Sequence, residues 1–108
     1  MLKKNYEFKN VLKRGKCYRG KYINIFIQKN YKNINMLGIA VSKKAGKSVT
    51  RNRIKRLIRE IYRKNEYKIN IGNNIIILWN NKNNLEKKSF YKIKEDFEMI
   101  LKKINLME

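Results

Sequence analysis

The chain has 108 residues, with 28 Lys and Arg against 8 Asp and Glu, no His and one Cys, for a formal net charge of +20. That length points to one domain over 1–108, and 43% hydrophobic residues supply a core. Without His the commonest general acid–base side chain is missing, and with a lone Cys a structural zinc site and an intrachain disulfide are excluded.

In chain order, residues 5–14 read as a short helix, with Phe8, Val11 and Leu12 at i, i+3 and i+4 and Gly15 as its C′ residue. Ile23, Ile25 and Ile27 alternate with Tyr22, Asn24 and Phe26, the period of a strand with an Ile face inward and aromatics on the other side. Tyr31 to Asn35 is a turn. MLGIAVS, 36–42, suits a central strand, and KKAGKSV is a loop around Gly46. A helix is predicted from Thr50 to Asn65, with Ile54, Leu57, Ile58, Ile61 and Tyr62 on one side. At 100° per residue, Asn52, Arg56, Arg59 and Arg63 fall opposite, flanked by Arg53 and Lys55. After a polar connection over 66–74, IIILW at 75–79 is a buried strand. NNKNN at 80–84 is a surface loop, and a last helix runs from about Leu85 to Ile104. The order α-β-β-α-β-α, with no repeat or linker, describes an α+β domain whose helices lie mainly on one side of the sheet.

Ser42 to Glu60 is the most informative stretch, because Glu60 is its only acid amid a run of Lys and Arg. A solvated helix face usually alternates Lys with Glu. Unrelieved positive charge repels itself unless a polyanion neutralises it, and phosphates are the usual polyanion. Lys43, Lys44 and Lys47 add loop cations around Gly46. This is not a Walker loop, since Val41 stands where the first Gly would be. Phe8, Tyr22 and Phe26 either cover the core or form a sheet face on which unpaired bases stack. Among the acids only Glu95, Asp96 and Glu98 lie together, and they read as a solvated, ion-paired face rather than a two-metal centre. Cys17 is expected to be buried or half-buried, and Trp79 to sit in the core. No run of about 18 apolar residues spans a membrane. The charged start MLKKNYEFKNVLKRG is unlike a secretory signal, which favours a cytoplasmic location.

These residues closely resemble the protein subunit of bacterial ribonuclease P. The run Arg51-Asn52-Arg53-Ile54-Lys55-Arg56-Leu57-Ile58-Arg59-Glu60 matches that family's RNR helix nearly throughout. The likeness extends to Leu37–Lys44 and to EFKNVLKRG. It implies three helices on a four-stranded mixed sheet, similar to one ribosomal protein domain, with a left-handed βαβ crossover where the general rule gives a right-handed one. It also implies a holoenzyme that hydrolytically removes the 5′ leader of precursor tRNA. There the RNA subunit is the catalyst and holds most of the Mg²⁺, and neither an organic cofactor nor an obligate protein partner is needed. The chain's own catalytic and metal-ligating residues would then be none.

By position, Arg51, Asn52, Arg53, Lys55, Arg56 and Arg59 would face the RNA subunit, joined by Lys43, Lys44 and Arg63. The leader would lie in a cleft between sheet and first helix, against Phe8, Leu12, Tyr22, Phe26 and Lys47. Leu12 stands where a second Phe is usual. Asn80 and Asn81 replace basic residues of some relatives, with Lys82 next to them. Three other readings share the basic helix: a ribosomal protein or general RNA chaperone without leader specificity, a self-sufficient nuclease, and a membrane-surface helix.

Overall fold

The computed structural model describes residues 5–81, 83 and 89–107. Helix α1 (Asn5–Arg14) leads into strands β1 (Lys16–Arg19), β2 (Ile23–Lys29) and β3 (Met36–Ala40), followed by α2 (Ser48–Asn65), β4 (Asn73–Trp79) and α3 (Ser89–Lys103). The sheet order is β1-β2-β4-β3. β2 pairs antiparallel with both β1 and β4, whereas β3 and β4 are parallel, so β3-α2-β4 is the βαβ unit of a mixed sheet. The four strands and three helices are those the family resemblance implies. The fourth strand, β1, is the one that residue patterning left unmarked, because Lys-Cys-Tyr-Arg has no apolar alternation. Helix α2 begins at Ser48, two residues before the predicted Thr50. The predicted first turn of the last helix, from Leu85, lies outside the described residues.

Period-two alternation divides the sheet. Ile23 and Ile25 of β2 and Ile75, Ile77 and Trp79 of β4 point to one side. There they meet Ile54, Ile58 and Ile61 of α2 and Ile93, Phe97 and Leu101 of α3. Each such side chain contributes about 1.5–3 kcal/mol on burial. The apolar face of α2 is therefore consumed by the sheet and is not free to lie in a lipid surface. On the opposite side α1 crosses β2 and β4. Val11 and Ile76 are buried there, with Phe8, Phe26, Met36 and Leu78 packed around them. Leu12, the third apolar residue of the predicted stripe, is 36% exposed.

Two glycines set how closely α1 approaches. A Cβ on Gly38 would stand 2.5 Å from the Phe8 ring, so β3 accepts that ring only because it has a hydrogen there. Gly15 follows α1 as expected, and its N–H bonds the Val11 carbonyl at 2.8 Å. Its φ is not left-handed. It supplies room, since a Cβ would lie 2.5 Å from the Val11 oxygen and 3.0 Å from that of Ile27.

The acidic trio of α3 departs from its expected solvated role at one position. Lys94 and Glu98 do form an i,i+4 pair at 3.7 Å, and Glu95 is exposed. Asp96, however, is buried, and one of its carboxylate oxygens accepts the backbone N–H groups of Tyr22 and Ile23. Charge-assisted bonds to backbone are strong enough to hold a carboxylate out of water. They fasten the β1–β2 turn to α3. Asn80 braces the same turn, its N–H bonding the Tyr22 carbonyl at 2.9 Å.

Candidate nucleic-acid interface

Helix α2 is about 27 Å long at 1.5 Å per residue and carries its cations along one stripe. Asn52, Arg53, Arg56 and Arg63 are exposed, while Arg51, Lys55 and Arg59 are half-buried. Among the described residues the helix has one ion pair, Lys64 to Glu60 at 3.4 Å, and no carboxylate reaches Arg53, Arg56, Arg59 or Arg63. The stripe is thus uncompensated, as the sequence predicted. Arg51 Nη2 donates to Ser48 Oγ at 3.1 Å, and its buried Nε has no partner. A short 3₁₀ turn, Lys43–Ala45, precedes the helix, with Lys44 N–H bonded to Ser42 Oγ at 3.2 Å. Gly46 closes it at a φ of 132°, a value suited to glycine. Lys43, Lys44 and Lys47 are all exposed around this turn. The arrangement offers planar guanidiniums for bidentate phosphate contact and mobile amines at one end.

The second surface is the sheet face beside α1. Strand register lays out one row, Cys17–Phe26–Ile76–Gly38, with one residue from each strand. Phe8 closes the Gly38 end and Val11 lies on Ile76. The β1 end is open. The next row along the face is Arg19–Asn24–Leu78–Ala40. Phe26 is half-buried, and Cys17 and Arg19 beside it are exposed. Asn24 Oδ1 and Gln28 Oε1, on either side of Phe26, have no hydrogen-bond partner among the described residues. The face therefore joins an aromatic platform to an exposed cation, the ingredients of a single-strand groove, and the two unpartnered acceptors beside Phe26 are themselves buried.

Two expectations change here. The sequence groups Tyr22 with Phe8 and Phe26, but its ring packs on the opposite core, and Lys92 Nζ lies 5.7 Å from its centroid. Asp96 holds its backbone in that position, so Tyr22 leaves the leader set. Cys17 was expected to be at least half-buried and is exposed. The cause is that α1 covers β2 and β4, leaving the edge strand β1 bare. Phe8 and Phe26 pack on the α1 side of the sheet, and Leu12, one turn along α1 from Phe8, is exposed. The neighbours Cys17, Asn24 and Gln28 were missed, because only cross-strand register reveals them.

Tyr62, on the buried side of α2, has a displaced titration. Burial pushes its phenol above the ordinary range, the Glu66 carboxylate adds to this, and a hydrogen bond from Asn35 opposes it. The folded chain thus holds this proton more tightly. The resulting stabilisation is complete below the unfolded value of about 10 and is lost as pH climbs through the raised one.

Comparison with known proteins fits this geometry. A family model described as Ribonuclease P matches residues 1–105. The ribonuclease P protein component of Natranaerobius thermophilus is 41% identical over 107 residues, 99% of this chain and 91% of that protein. That of Clostridium kluyveri is 40% identical over 105 residues, 97% of this chain and 94% of the other. The RNase P protein from Thermotoga maritima, solved in complex with 1-(4-fluorophenyl)-2-thiourea, superposes with a TM-score of 0.83 at 31% identity. It covers 94% of this chain and 97% of that one.

Proposed function

The chain belongs to the bacterial ribonuclease P protein family, and from that premise we propose a division of labour between its two surfaces. The stripe of α2, with Lys43 and Lys44, binds the RNA subunit. The cleft between α1 and the sheet holds the single-stranded 5′ leader of precursor tRNA against Phe8, Phe26 and Leu12, with Lys47 near its path. The RNA subunit hydrolyses the phosphodiester and holds most of the Mg²⁺. The protein, working in the cytoplasm, contributes charge neutralisation and leader grip.

The observation that carries this reading is the uncompensated stripe on a helix whose other side is spent on the core. Like charges so fixed attract phosphate strongly and lessen the need for Mg²⁺ to screen RNA against RNA. The carboxylates give no comparable support for chemistry by the chain itself. Asp96 is engaged with backbone N–H groups, and Glu98 pairs with Lys94.

The test is reconstitution with a ribonuclease P RNA over a Mg²⁺ series, using precursor and mature tRNA. Protein should shift the Mg²⁺ midpoint of cleavage downward and tighten precursor more than mature tRNA. Equal tightening of both would favour the general RNA chaperone instead. An unchanged midpoint, or correct trimming by RNA-free protein, would overturn the proposal.

A further inference from the structure

At the far end of α2 from Lys47, the β2–β3 loop and the connection before β4 enclose a cleft of about 450 Å³. That volume falls within the roughly 300–1,000 Å³ of small-ligand sites. Its lining includes Asn33, Ile34, Arg59, Tyr62, Arg63 and Ile71. Ile34 and Ile71 are 55% and 64% exposed, an unusual outlay of aliphatic surface beside two guanidiniums.

The wall bearing Ile34 is held in place. Asn30 Nδ2 donates to the Ile34 carbonyl at 3.2 Å and to Asn74 Oδ1 at 3.1 Å. Asn30 Oδ1 accepts Lys32 N–H at 2.8 Å, and Asn35 Oδ1 accepts Asn73 N–H at 3.0 Å. Tyr31, within this loop, adopts a φ of 58°, a conformation costly for a bulky residue and maintained only by such surroundings. Asn33 makes no hydrogen bond and Glu66 no ion pair among the described residues. Both border the cleft. Arg59 and Arg63 at its rim are the last cations of the α2 stripe.

We propose that this cleft takes one unstacked nucleobase of the RNA bound along α2. The base lies between Ile34 and Ile71, its polar edge meets Asn33 and Glu66, and its phosphate rests on Arg59 and Arg63. Apolar walls suit the face of a base and not a bare phosphate. An amide and a carboxylate beside them match the donors and acceptors of a base edge, and continuity with the stripe brings the RNA to the rim. The inference rests on the reading that α2 binds the RNA subunit.

Its test uses the full chain and the ribonuclease P RNA. Dissociation constants are measured over a salt series for wild type, Ile34→Ala, Ile71→Ala and Asn33→Ala, with chemical probing of the RNA bases. The three positions are exposed, so the fold should survive, and unchanged melting curves verify that. Each Ile variant should weaken binding about tenfold at an unaltered salt slope, as loss of a base contact without loss of a phosphate contact requires. One unpaired base should be protected by wild type and reactive with Ile71→Ala. If wild type binds but the variants match it and no base is protected, the cleft proposal falls alone. If the variants instead abolish self-association of the chain while RNA affinity holds, it falls as well. If wild type itself fails to bind the RNA, the underlying reading fails.

Discussion

On α2, Arg53, Arg56, Arg59 and Arg63 form a stripe with no carboxylate within reach among the described residues, while across the sheet Phe8, Phe26, Ile76 and Leu78 form a mostly apolar face with a few unpaired polar groups. On the proposed reading the first surface works by charge, acts on any phosphate backbone, and weakens as salt screens it. On the proposed reading the second works by shape and stacking, and engages only bases that are not already paired. A protein with the proposed pair of RNA partners gains from keeping the two apart. The sheet is what separates them, with α2 on one side and α1 on the other.

The largest expected effect falls on the charged side. The double variant Arg56→Ala, Arg59→Ala should weaken assembly with the RNA subunit about a hundredfold, given the worth of charged hydrogen bonds. It should also flatten the salt slope by about 1.4–1.8. Once saturated with RNA, it should still prefer precursor to mature tRNA. Parallel loss of that preference would break the separation.

Gly38→Val tests the other side through packing. Its side chain would collide with the Phe8 ring, costing about 1–3 kcal/mol in thermal unfolding as overpacking. It should displace α1 and erase leader preference, leaving the affinity for the RNA subunit near wild type. Phe26→Ala should act on the same surface without the strain, reducing the precursor-to-mature affinity ratio about tenfold, the worth of one stacked base. Leu12→Phe is the smallest change and runs in the opposite direction. Leu12 is 36% exposed one helical turn from Phe8, so a ring there should strengthen leader binding a few-fold with no loss in melting temperature.

The two surfaces also differ in how far they could be read from sequence. The α2 stripe is local: its faces follow from 100° per residue, and Ile54, Ile58 and Ile61 are buried as that spacing demands. The sheet face is assembled from four strands and a helix, so its residues become neighbours only through register. Cys17 meets Phe26 because β1 pairs with β2, and β1 itself has too little apolar pattern to announce a strand. Tyr22 alternates correctly with Phe26, yet Asp96, 74 positions away, captures its N–H and keeps its ring with the other core. Asparagines that looked like plain turn composition, Asn30, Asn35 and Asn80, are fasteners between distant segments. No periodicity encodes such contacts.

Site-directed photocrosslinking in the reconstituted holoenzyme tests the separation most directly, with a photoreactive side chain placed in turn at positions 26 and 56. Position 26 should attach to leader nucleotides of precursor tRNA and position 56 to the RNA subunit. Attachment of position 26 to the RNA subunit, or of position 56 to the leader, would contradict the account.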